Sequence, residues 1–257
     1  MKKHAVILII CSFLLFQGVP ARAQDTVMQV STIDALVAGL YDGVMSCADL
    51  LEYGDVGIGT FHRLDGEMVV LDGTVYQVKG DGTVHRPGPA EKTPFAAVCR
   101  FMADDTVTVQ QGMDYKAVER AIDASISGTN IFYAIKITGT FSYMKTRSVS
   151  AQSRPYPPLV EAAKAQSVFE MRNIAGTIVG FRCPPYVQGI NVPGYHLHFI
   201  SDDRSCGGHI LDFALDRGTC HIDRCHRFLM VLPAEGEAFQ KVDLSRDRSG
   251  ELHQIEK

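Results

Sequence analysis

The chain has 257 residues, 46% of them apolar and 21% charged, a balance that excludes intrinsic disorder and supplies enough apolar surface for one large core or two small ones. Lys and Arg number 25 against 29 Asp and Glu, so the formal charge is −4. That sign argues against a nucleic acid or an anionic membrane surface as partner.

At the N-terminus, Lys2 and Lys3 precede the apolar run Val6 to Phe16, and Val19-Pro20-Ala21-Arg22-Ala23 places small residues where a signal peptidase reads. Residues 1–23 are therefore expected to be a secretory signal cleaved after Ala23. Export to the periplasm or the medium follows. The apolar run is roughly half of the ~20 residues a membrane span needs, and no later stretch is long enough, so the mature form is expected to be free of the membrane. Loss of Lys2, Lys3 and Arg22 takes the formal charge from −4 to −7. An anionic substrate would then need local cations. The mature chain keeps Cys47, Cys99, Cys183, Cys206, Cys220 and Cys225, an even number that permits disulfides in an exported protein.

Ser31-Thr32-Ile33-Asp34 offers a cap for a helix carrying Leu36, Val37, Leu40 and Val44. From Gly57 to Val78, short apolar runs are punctuated by Asp65-Gly66 and Asp72-Gly73, and Asp81-Gly82 follows, which predicts a meander of hairpins. Val98–Thr108 reads as a strand. Tyr115–Ser125 reads as a helix with Val118, Ala121 and Ile122 on one face. Phe132–Thr140 and Tyr143–Val149 read as strands, Leu159–Val168 as a helix, and Asn173–Cys183, Tyr195–Ser201, His209–Asp216 and His221–Leu232 as strands. The tail from Lys241 to Lys257 is polar and is expected to be loosely structured. Many strands and about three helices give an α+β fold with mostly antiparallel sheets.

The sharpest chemical feature is Gly194-Tyr195-His196-Leu197-His198-Phe199-Ile200. Side chains alternate along a strand, so His196 and His198 share one face while Leu197 and Phe199 take the other. After a polar turn ending in Gly207-Gly208, His209 opens the next strand and can face the first two. Three histidines with an open fourth position make a catalytic metal pattern. Cupins also use H-x-H strands, so this pattern alone names no activity; a cupin-like isomerase or dioxygenase and a metal- or ligand-binding protein both fit it. Arg147 is suited to a carboxylate, although a strand arginine is more often at the surface. Glu67 follows the Asp65-Gly66 turn and its plainer reading is a solvated turn residue. Cys220-His221-Ile222-Asp223-Arg224-Cys225-His226 has the composition of a metal cluster, but a surface strand with one or more disulfides is the plainer reading.

Three blocks taken together resemble one family. Gly54-Asp55-Val56-Gly57-Ile58-Gly59-Thr60-Phe61 with Leu64-Asp65-Gly66-Glu67, Phe132-Tyr133-Ala134-Ile135-Lys136 with Gly139 and Lys145-Thr146-Arg147, and Gly189 to Phe199 followed by Asp202-Asp203-Arg204 and Gly207-Gly208-His209 are similar to the α-acetolactate decarboxylases. The resemblance runs from about Ser31 to the tail. It implies a Zn2+ lyase that converts 2-acetolactate to (R)-acetoin and carbon dioxide through an enediolate. It implies His196, His198 and His209 as the metal ligands, Glu67 as an active-site glutamate, Arg147 as the substrate-binding arginine and Thr60 beside the site. A tail glutamate is also implied, Glu256 in preference to Glu251. The implied fold is strand-rich and two-part, usually a homodimer, with mixed and barrel-like sheets. The expected division is residues 24–150, a mixed-sheet domain, and 151–257, a β-rich domain carrying the histidines and the tail.

Overall fold

Short apolar runs interrupted by Asp-Gly turns build the first of two large sheets. In this computed structural model residues 24–256 are described; the secretory-signal reading falls on residues outside them. β1 (Thr26–Val30) leads into α1 (Ile33–Val37), where the Thr32 hydroxyl accepts from Ala35 N as the cap predicts. The helix stops well short of Val44, because Gly39 takes φ +93° just past its end. β2 (Met45–Ser46) and α2 (Cys47–Leu51) precede the meander of β3 (Val56–Thr60), β4 (Glu67–Leu71), β5 (Thr74–Val78) and β6 (Val84–His85). Its three Asp-Gly turns are present, each with its glycine at positive φ.

β7 (Lys92–Thr93) pairs with β2 in a small ribbon, and β8 (Ala96–Cys99) joins the meander. The expected strand Val98–Thr108 is in fact two. It breaks after Cys99, and β9 (Asp105–Val109) crosses to the second sheet. β10 (Met113–Asp114) and α3 (Tyr115–Ser125) follow, the helix with the bounds its periodicity gave. β11 (Phe132–Ser148) is one 17-residue strand where two were expected. The helix predicted from Leu159 is only α4 (Leu159–Ala162), because Ser167 already belongs to β12 (Ser167–Cys183). β13 (Gly194–Ser201), β14 (Gly207–Cys225), β15 (Arg227–Val231), α5 (Glu237–Lys241) and α6 (Ser249–Glu256) complete the order.

The first sheet runs β15-β1-β8-β3-β4-β5-β6, with β1 and β15 parallel and the other pairs antiparallel. The second runs β10-β14-β11-β12-β13, and β13 returns to pair with the start of β14. The fold is thus α+β, strand-rich, with mixed and antiparallel sheets. Residue 150 is not a boundary in the pairing, since β11 is central to the second sheet and β15 closes the edge of the first. The sheets face each other across an apolar cluster that includes Val56, Ile58 and Val69 from one and Phe132, Ala134 and Phe181 from the other. Among the described residues, no helix is long and apolar enough to cross a membrane.

Candidate metal centre

Two rows of side chains meet between the sheets at the end of this cluster. In the second sheet Arg147 on β11 pairs with His209 on β14, and His209 pairs with His198 on β13. Paired residues project from the same face, so the three lie side by side. His196 joins them two residues before His198. In the first sheet Thr60 on β3 pairs with Glu67 on β4, which supplies the opposing row.

Two glycines make the close strand approach possible. A Cβ on Gly207 would lie 2.4 Å from Phe199 O, and one on Gly208, at φ +128°, would lie 2.5 Å from Arg147 O. Gly207-Gly208 therefore lets β14 enter between β13 and β11 and place His209 between His198 and Arg147.

The three imidazoles form a near-equilateral group with ring centroids 5.0, 5.2 and 5.3 Å apart. Their ligand atoms all lie within 4.8 Å of one another. His198 Nδ1 donates to the Met68 carbonyl at 2.8 Å, so its Nε2 carries the free lone pair. His198 Nε2 and His196 Nδ1 are both buried without a hydrogen-bond partner. Burial holds all three rings below the ordinary histidine range, His196 at about 3, with the Arg147 charge adding to the effect. Neutral imidazoles aimed at a common point fit a divalent cation.

Carboxylates and a guanidinium complete the site. Glu256 Oε2 lies 3.7 Å from Nε2 of both His196 and His209, and Glu67 Oε2 lies 3.6 Å from His198 Nε2. Arg147 is 4% exposed, which excludes the surface arginine. Its Nη1 donates to Gln166 Oε1 at 3.3 Å and its Nη2 to Glu256 Oε1 at 3.4 Å, while Nε has no partner. Glu67 is buried at the first position of β4, not solvated in the turn, and burial pushes its carboxyl up to about 7 against the pull of Arg147. Glu256 is raised by the same cause. Thr60 lines the pocket, its hydroxyl donating to Gly66 O at 2.7 Å. Ile33, Leu36, Phe95, Leu159 and Ile255 form the apolar wall.

All seven candidate residues thus line one pocket. Glu251 does not: it pairs with Arg246 at 3.0 Å away from the site. The expected loose tail is instead α6, docked through Leu252 and Ile255, and that docking delivers Glu256. Gln166 and the Met68 carbonyl escaped the sequence reading. Neither has a local signature, since one acts from the residue before β12 and the other through its backbone. The disulfide reading also fails, because the six cysteines among the described residues are all free. Cys220 and Cys225 are five residues apart on β14, face opposite clusters and cannot meet.

The family model described as alpha-acetolactate decarboxylase matches residues 27–246. A curated alpha-acetolactate decarboxylase of Methanosarcina mazei is 46% identical over 243 residues, covering 95% of this chain and 84% of that protein. One of Bacillus subtilis is 39% identical, covering 88% and 89%. The crystal structure of alpha-acetolactate decarboxylase from Bacillus subtilis strain 168 superposes with a TM-score of 0.88 at 38% identity, over 90% of this chain and 99% of that one. A Staphylococcus aureus protein of unknown function, described as similar to alpha-acetolactate decarboxylase, gives 0.85 at 34% identity, over 90% and 98%.

Proposed function

Since the chain belongs to the alpha-acetolactate decarboxylase family, we propose that it is a zinc-dependent carboxy-lyase converting 2-acetolactate to (R)-acetoin and carbon dioxide at the pocket between its sheets. The observation that carries this reading is the convergence of three neutral imidazoles, two buried carboxyls and one guanidinium on one small space. His196, His198 and His209 would hold the cation. When bound, it would supply Lewis acidity to the adjacent hydroxyl and ketone oxygens of the substrate.

The remaining work falls to protein groups. The unpartnered Arg147 Nε is available to the substrate carboxylate and fixes which way that group points. Cleavage of the bond between the carboxylate and the hydroxyl-bearing carbon releases carbon dioxide and leaves the electron pair in an enediolate. Arg147 holds the negative charge in a pocket that excludes bulk water. The same carbon then takes a proton. Glu67, buried beside His198, is placed to deliver it. Glu256 sits across the histidines and steadies Arg147. Delivery from one fixed side makes one enantiomer.

The test is release of carbon dioxide and acetoin from racemic 2-acetolactate by purified protein, before and after chelation. Chelator-sensitive formation of (R)-acetoin, restored by Zn2+, is the expected result. Stoichiometric zinc without turnover would instead favour a binding protein. Dependence on iron and dioxygen would favour the cupin-like alternative.

A further inference from the structure

A second chelating arrangement lies on the far part of β14, within the apolar cluster between the sheets. Asp223 and Cys225 are two residues apart on that strand and so share a face, as His196 and His198 do on β13. Cys99, the last residue of β8 in the opposite sheet, supplies a third group. The two sulfurs and a carboxylate oxygen lie within 4.8 Å of one another. The neighbouring Cys225 and burial hold the Cys99 thiol above its ordinary range, so it is protonated without a cation. All three residues are buried, at 0, 1 and 0% exposure for Cys99, Asp223 and Cys225.

One atom in this group lacks a partner. Asp223 Oδ2 accepts from Met102 N at 2.9 Å, but Asp223 Oδ1 is buried with no hydrogen bond. A buried carboxylate oxygen is costly to leave unsatisfied. A cation would satisfy it, and two thiols select a thiophilic one. Cys183 belongs to the same buried cluster, so a third sulfur is nearby. The surface is near as well, since His226 and Arg227, which follow Cys225, are exposed.

We propose that Cys99, Asp223 and Cys225 form a second metal site, taking one thiophilic divalent cation of the zinc class and tying the seven-stranded sheet to the six-stranded one. On binding, the two thiols give up their protons to solvent and both sulfurs ligate as thiolates. The site is buried and shares no residue with the pocket that holds the histidines, so its role is structural and separable from turnover.

The protein is stripped with a chelator under a thiol reductant and titrated with Co2+, followed by absorption and metal analysis. Thiolate ligation gives an intense sulfur-to-cobalt charge-transfer band in the near ultraviolet, whereas a site of imidazoles and carboxylates gives none. Two cobalt ions per chain, with that band, are expected. Cys225→Ser and Asp223→Asn should each lower the count to one and remove or weaken the band, with acetoin formation by the histidine site intact. Should a variant fail to fold, the spectrum and stoichiometry of the parent alone decide. One cobalt per chain and no charge-transfer band would overturn the proposal. So would a Cys99–Cys225 disulfide in the protein as isolated, if the thiols still ignored cobalt after reduction.

Discussion

Arg147 brings its guanidinium nitrogens into the pocket with only long bonds to Gln166 and Glu256 and one N–H unpaired. A buried cation so loosely satisfied is poised for an anion that arrives later. Arg147→Ala should retain zinc at the histidines yet lower kcat/KM on the order of 100-fold, the ~3 kcal/mol of a buried charge-assisted bond. Arg147→Lys keeps the charge but loses the fork, and should recover only part of that loss. Metal analysis beside steady-state kinetics checks both. Parent-like kinetics in Arg147→Ala would remove the arginine from substrate binding. The histidines could be read from sequence because strand alternation alone puts His196 and His198 on one face. The burial of Arg147 could not, because Lys145-Thr146-Arg147 alternates in the same way whether or not another sheet covers it. The cysteines misled for a related reason. Their number permits disulfides, but only the register of β14 reveals that Cys220 and Cys225 face opposite ways.

Among the elements, α6 carries the largest functional consequence for its size. It is eight residues long, and only Leu252 and Ile255 are buried in the cluster around α1 and α4. Burial of two such side chains contributes about 3–6 kcal/mol as an upper estimate. That is enough to dock one short helix and little more. Two apolar residues in a polar tail look like a loose end, since the partner surface from Ile33, Leu36 and Leu159 lies more than ninety positions away in sequence. The meander was legible because its signal, Asp-Gly between apolar runs, is entirely local. Ile255→Ala should cost about 2–5 kcal/mol of docking and release Glu256 from Arg147 and the histidines. Zinc content and the global unfolding midpoint should hold, turnover should fall at least tenfold, and amide exchange across 249–256 should accelerate. Accelerated exchange with full turnover would mean that Glu256 has no part in the reaction.

At the scale of the whole molecule, both sheets bury titratable groups at their junction, and folding is therefore linked to pH. In the chelated protein the three histidines sit below their ordinary 6.5, His196 at about 3. The stability they contribute is complete above pH 6.5 and is lost as pH falls, because the unfolded chain takes up protons there that the folded one refuses. Glu67, pushed up to about 7, and Glu256, also raised, act in the opposite sense. Their folded carboxyls accept protons that the unfolded chain, at its ordinary 4.5, has released. Three protons favouring the unfolded chain against at most two favouring the folded one leave a net loss, from these five groups, of at least about 1.4 kcal/mol per pH unit between pH 6 and 5. His209→Gln removes one of the three. Its stability should therefore fall by about 1.4 kcal/mol less per pH unit than that of the parent, which cancels contributions common to both chains. Urea unfolding of the two chelated proteins at pH 6 and pH 5 measures the difference. Equal slopes would mean that His209 already carries a proton in the folded, metal-free state, and its neutral role as a ligand would have to be abandoned.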